Sequence, residues 1–128
     1  MITLDEVLQL HQYSINDFGG SHGIRDIGLL ESAVERPNAT FGGEELYPNC
    51  FTKAAAILES IVKNHPFVDG NKRTGWLACA VMMRLFDYKF TLSQEDAYDF
   101  VIKVASSHIE FESIVEYIEM HVKRISDV

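Results

Sequence analysis

Two apolar helical runs, FTKAAAILESIVKNH from Phe51 and NKRTGWLACAVMMRLFDY from Asn71, are separated only by PFVDG. The first is rich in strong helix formers, and Ala55, Leu58, Ile61 and Val62 fall on neighbouring turns, so it reads as a buried central helix. Pro66 ends it, because proline disfavours helical geometry at His65 and cannot donate a backbone hydrogen bond. In the second run, Trp76 or Leu77, Ala80, Val81, Met83 or Arg84, and Leu85 trace a mostly apolar helix. The intervening loop therefore feeds directly into a helix N-terminus.

The flanking segments predict further helices. Thr3 and Glu6 have capping-box spacing before VLQLHQYSI, where Val7, Leu10 and Ile15 supply an apolar stripe. FGGSHGIRD breaks that helix with three glycines, and IGLLESAVER restarts a helical pattern that Pro37 stops. NATFGGEELYPN reads as loop, with room for a short hairpin. KFTL reads as an extended connector, and Ser93 caps QEDAYDFVIKVAS. EFESIVEYIEMHVKRI makes a terminal amphipathic helix with Ile114, Ile118 and Val122 aligned. The expectation is an all-α bundle of about six helices, a single domain over residues 1–128.

Composition narrows the function. A formal net charge of −8 argues against a nucleic-acid surface built on phosphate neutralisation, although a local basic pocket remains compatible with it. No apolar segment approaches the roughly 20 residues needed to span a bilayer. The start MITLDEVLQL lacks the basic residues and small-residue cleavage site of a signal peptide, so a cytoplasmic location is expected. Cys50 and Cys79 have neither metal-ligand spacing nor disulfide density, and Cys79 reads as a reduced core thiol. His11, His22, His108 and His121 form no metal-ligand grouping. Glu110, Glu112, Glu116 and Glu119 read as a solvated face.

Chemistry concentrates in HPFVDGNKRTGW, residues 65–76. The first N–H groups of a helix lack intrahelical partners and carry the positive end of its dipole. Gly70 lets a phosphate approach the backbone, Asn71 can donate through its amide, and Lys72 and Arg73 add positive charge, which together make an anion cradle. Asp69 is a carboxylate of the kind that shares magnesium with phosphate oxygens, and His65 can accept a proton from an attacking hydroxyl. The set suggests transfer of a phosphate-containing group from a nucleotide to a hydroxyl. Each residue also has an ordinary role open to it: Asp69 as a helix cap, Gly70 as a turn residue, Lys72 and Arg73 as solvated cations, His65 as a hydrogen-bonded loop residue.

The same window resembles the signature of the Fic/Doc family, H-x-F-x-D/E-G/A-N-K/G-R, at each fixed position. GGSHGIRDIGLLESAVERP, residues 19–37, is similar to the N-terminal region of Doc-like members, so the resemblance covers nearly the whole chain. It implies His65 as the catalytic base, Asp69 as the magnesium ligand, and Gly70, Asn71 and Arg73 as the loop that takes nucleotide phosphates. Phe67 would pack the loop into the core, and Lys63 occupies a place where Doc-like proteins often carry a cation. ATP and magnesium are the implied cofactors.

Lys72 separates the branches of the family. The Fic branch usually has glycine there, which suits AMP transfer, whereas the Doc branch has lysine, which by resemblance reverses the nucleotide and presents its terminal phosphate. Trp76 replaces the second arginine of the Fic pattern. The resemblance thus favours a protein kinase over an AMP transferase, with a non-catalytic partner-binding module as the alternative from another class. Doc-like proteins are toxins of toxin–antitoxin pairs, and the prototype phosphorylates a threonine of translation elongation factor Tu. The implied partners are a similar target and an antitoxin whose flexible segment folds on binding. Ser106 and Glu110 have the spacing of the inhibitory Fic motif, but Phe111 replaces its last residue, and the match is read as chance. Of two candidate target-binding flaps, FGGSHGIRD is preferred to NATFGGEELYPN.

Overall fold

The computed structural model describes residues 1–127. Its elements run α1 (Leu4–Phe18), α2 (Ile27–Glu35), a 3₁₀ turn (Arg36–Asn38), β1 (Thr40–Phe41), β2 (Glu44–Glu45), α3 (Cys50–Asn64), α4 (Asn71–Leu85), β3 (Tyr88–Phe90), α5 (Gln94–Ala105), α6 (Phe111–Met120), β4 (Val122–Arg124) and a closing 3₁₀ turn. Helices dominate, as the periodicity predicts, and the strands form two small antiparallel pairs.

Local signals set the helix starts. Thr3 and Glu6 form the reciprocal capping box of α1, Asp26 caps α2 through Leu29 N–H, Asn49 caps α3 through Thr52 N–H, and Ser93 caps α5 through Asp96 N–H. Pro37 does stop α2, tightening its end into the 3₁₀ turn.

The core is organised around α3, whose Ala54, Ala55, Ile57, Leu58, Ile61 and Val62 are fully buried. Each of the larger side chains contributes about 1.5–3 kcal/mol by leaving water. Helix α4 lies closest, because Gly75 brings its backbone so near α3 that an added Cβ would fall 2.7 Å from Val62 Cγ2. Ala78, Cys79, Met82 and Met83 of α4, Phe100 and Val104 of α5, and Ile114 and Ile118 of α6 complete the cluster. Burial raises the Cys79 thiol far above its ordinary range, which keeps it protonated and inert.

Two boundaries differ from the sequence reading. Helix α6 stops at Met120, and Val122 belongs to β4, where it pairs with Phe90. The ring Nδ1–H of His121 donates to Tyr117 O at 2.7 Å while its backbone N–H turns to Ile118 O, closing the helix. Val122 points inward under either period, so its hydrophobicity alone could not separate helix from strand. Helix α4 likewise ends at Leu85, followed by Asp87 in the left-handed region at φ 69°, and the extended connector is the strand β3 that receives β4.

The β1–β2 hairpin is moored to the far end of α3 from the loop. Buried Lys53 reaches Glu45 Oε1 at 2.8 Å and Pro37 O at 3.1 Å. Arg36 donates to Tyr47 Oη, Glu59 Oε1 and Ser60 Oγ. Lys53 and His65 are twelve positions apart, roughly 18 Å along the helix, so this hairpin is remote from the loop chemistry.

Candidate active site

The site begins where α3 ends. His65 is its C-cap, in the left-handed region at φ 50° and ψ 59°, and Pro66 prevents the helix from continuing. Phe67 then plunges into the core, 1% exposed, with its ring stacked on His11 at 3.8 Å between centroids and 5° between planes. His11 Nε2 lies 2.8 Å from the Asp69 carbonyl, to which it donates. Burial lowers the His11 pKa, and that hydrogen bond only partly offsets it.

Asn71 ties the loop to the first turn of α4. Its Oδ1 accepts from Phe67 N–H at 2.9 Å and its Nδ2 donates to Phe67 O at 3.0 Å, with the side chain buried. The amide thus has a structural use beside the expected one: Oδ1 and one Nδ2 hydrogen complete the backbone bonding of the loop, which leaves the second Nδ2 hydrogen and the backbone N–H of Asn71 to meet an anion. Gly70, at φ 77°, is the N-cap of α4 and supplies no side chain, and no acidic residue occupies the first turn. The capped starts of α1, α2, α3 and α5 contrast with this open one. A Cβ at Gly70 would also press on Ile15 Cδ1 at 3.0 Å, so the left-handed turn and the close packing both call for glycine.

Segment 19–26 lies along the loop. Ile24 and Phe67 form an antiparallel bridge, with Val68 N–H donating to Gly23 O at 3.0 Å and Arg25 N–H to Pro66 O at 2.8 Å. Of the two candidate flaps, this is the one beside His65. The Asp69 carboxylate accepts from Ser21 N–H at 3.0 Å and from Gly70 N–H at 2.8 Å. These two bonds, with lesser help from Arg73 and His11, lower its pKa and keep it ionised.

Arg73 donates through Nη1 to Ser14 O and Ser14 Oγ, and its guanidinium lies 5.0 Å from the centre of the Phe18 ring. Lys72 is exposed, and among the described residues no carboxylate pairs with it or with Arg73. Lys63 is instead 3.4 Å from Glu59 Oε2 and does not line the cleft described next. A cleft of about 730 Å³ opens at this junction, lined by His65, Asp69, Gly70, Asn71, Lys72 and Arg73 at one end. Trp76 and Leu77 of α4 with Ala97, Tyr98, Val101 and Ile102 of α5 form its apolar wall. The cleft can hold an anion at its polar end and a flat apolar body along the wall. Ser106 and Glu110 stand outside it, at the end of α5 and the start of α6.

His11, Ser14, Ser21 and Arg25 also serve the site, although none belongs to the loop motif. A signal existed for the first two: Val7, His11, Ser14 and Ile15 share the buried face of α1, and polar groups on such a face need dedicated partners.

The fold and the loop match the Fic/DOC family, whose family model covers residues 1–83, and the chain belongs to that family. Two curated relatives refine the placement. The chain is 40% identical over 99 residues, 76% of each chain, to "Toxin Doc" of Mycolicibacterium smegmatis. It is 29% identical over 115 residues, 90% of each chain, to "Protein kinase doc" of Escherichia phage P1.

Proposed function

We propose that this protein is a Doc-type toxin that transfers the terminal phosphate of ATP to a serine or threonine hydroxyl of a protein target. Translation elongation factor Tu is the implied target, and arrest of protein synthesis the outcome. The observation that carries the reading is the joining, on one cleft, of an ionised Asp69, an uncapped helix N-terminus with two cations that no carboxylate among the described residues neutralises, and His65 at the polar end. The names of the two relatives, a toxin and a protein kinase, agree with it.

In this mechanism the imidazole of His65 takes the proton of the target hydroxyl as its oxygen attacks the terminal phosphorus, and ADP departs. Lys72, Arg73 and the N–H groups of the first turn of α4 hold the phosphates against the charge that develops. Asp69 fits a magnesium ion: it is anionic and exposed, and as a single protein carboxylate it suits a cation that takes its remaining ligands from phosphate and water. Bound magnesium would neutralise phosphate charge. The apolar wall suits the nucleoside, and segment 19–26 lies where a target segment would meet His65.

A cytoplasmic site of action and a separate antitoxin go with this role. The test is induced expression of wild type and His65→Ala, with incorporation of labelled amino acid followed in time. Wild type should halt incorporation, while His65→Ala should leave it running and still bind magnesium–ATP. Equal arrest by both would remove the enzymatic reading and leave a partner-binding module.

A further inference from the structure

The position of His65 depends on a short stretch of backbone that a helical chain does not adopt readily. His65 sits in the left-handed region, which disfavours any residue with a Cβ. The last carbonyls of α3 also lack intrahelical partners, and Pro66 supplies no N–H to answer them.

One dipeptide answers three consecutive carbonyls. Arg25 Nε donates to His65 O at 2.6 Å and Arg25 Nη2 to Asn64 O at 2.7 Å. The backbone N–H groups of Arg25 and Asp26 both donate to Pro66 O, at 2.8 and 3.0 Å. The guanidinium is thus a two-pronged donor set at the negative end of the α3 dipole. Among the described residues it has no carboxylate partner that would explain it otherwise. Asp26 in turn caps α2 through Leu29 N–H, so the dipeptide is itself fixed to a helix start.

We infer that Arg25 is a positioning residue for His65: its fork on the Asn64 and His65 carbonyls holds the left-handed cap from which the imidazole is presented to the cleft. This rests on the reading of His65 as the base. It does not involve the phosphate cradle, because Arg25 makes no hydrogen bond to any residue from Asp69 to Arg73. Lysine at this position carries the charge but cannot span both carbonyls, so geometry and charge separate by substitution.

The test compares wild type, Arg25→Lys, Arg25→Gln and Arg25→Ala by two independent readouts. The first is the backbone carbonyl ¹³C shifts of Asn64 and His65 together with the φ-dependent coupling of His65, none of which requires turnover. Arg25→Ala should move both carbonyls and average the coupling, while the amide signals of Gly70–Arg73 and the affinity for magnesium–ATP stay as in wild type. The second is steady-state phosphate transfer, in which Arg25→Ala should lower kcat about tenfold to a hundredfold with KM for ATP unchanged. Arg25→Lys should recover only part of this, and added methylguanidine should restore some turnover to Arg25→Ala and none to Arg25→Gln, whose side chain still fills the space. Unchanged carbonyl shifts and coupling in Arg25→Ala would overturn the assignment, as would a loss of kcat matched by an equal rise in KM for ATP. If wild type transfers no phosphate while the carbonyl and coupling response appears, the proposed reaction fails and the positioning of His65 by Arg25 stands.

Discussion

Replacing Asn71 by alanine separates a structural amide from a phosphate-binding one. In the structure that amide makes two hydrogen bonds, from Phe67 N–H and to Phe67 O, and both backbone groups belong to a residue 1% exposed. The bridge of Phe67 to Ile24 uses the neighbouring Pro66 O and Val68 N–H, so it cannot take over the groups that Asn71 leaves. Removing the amide strands one buried donor and one buried acceptor, each at about 1–2 kcal/mol, for a total of about 2–4 kcal/mol. For a domain of this size that corresponds to a fall in Tm of roughly 10 °C. Chemical denaturation of Asn71→Ala measures it, with Asn71→Asp as the companion: aspartate keeps the acceptor for Phe67 N–H but replaces the donor to Phe67 O, and should be destabilised by a similar amount. A variant within about 0.5 kcal/mol of wild type that binds magnesium–ATP more weakly would instead assign the amide to the phosphate.

Gly75→Ala places a Cβ 2.7 Å from Val62 Cγ2. The helix-propensity gain of about 1 kcal/mol is then outweighed by overpacking of about 1–3 kcal/mol, so denaturation should show net destabilisation. The Asp69 carboxyl, followed by ¹³C NMR, should titrate below its ordinary value of 3.8, because the Ser21 and Gly70 N–H groups favour the anion. Its stabilising contribution is complete above that ordinary value and is lost as pH falls through the lower folded midpoint, and a midpoint at or above 3.8 would contradict the hydrogen bonding. His11 should titrate below 6.5, so the folded state resists its protonation and stability declines as pH falls from 6.5 through the folded midpoint. His11→Phe keeps the stack on Phe67 but loses the donor to Asp69 O. It should cost about 1–2 kcal/mol and remove that part of the pH dependence, as thermal melts across the same range would record.

The junction at the heart of the molecule was legible because its signals are local. Pro66 restricts its neighbour, Gly70 supplies the left-handed cap, and the two apolar runs carry their own period, so the end of α3 at Asn64 and the start of α4 at Asn71 follow from residue chemistry. The caps at Thr3 and Ser93 were equally local. What the sequence concealed is non-local. Val122 fits a helical stripe until β3 is available to pair with it, and the structural use of the Asn71 amide appears only once the fold places Phe67 against it. His11 and Arg25 act across 58 and 40 residues of chain, on Asp69 and His65, and no spacing rule reaches that far. The roles proposed for the window rest on the resemblance to Doc-like proteins, while the geometry shows the supports that hold the window in place.

Which phosphate moves decides between a kinase and an AMP transferase. Purified protein and His65→Ala are incubated with magnesium, elongation factor Tu and ATP labelled at the terminal or, in parallel, the α phosphate, and the target is weighed by mass spectrometry. Terminal label and a gain of about 80 Da that depends on His65 are expected. Label from the α phosphate, with the larger mass of AMP, would contradict the role given to Lys72 and make the protein an AMP transferase.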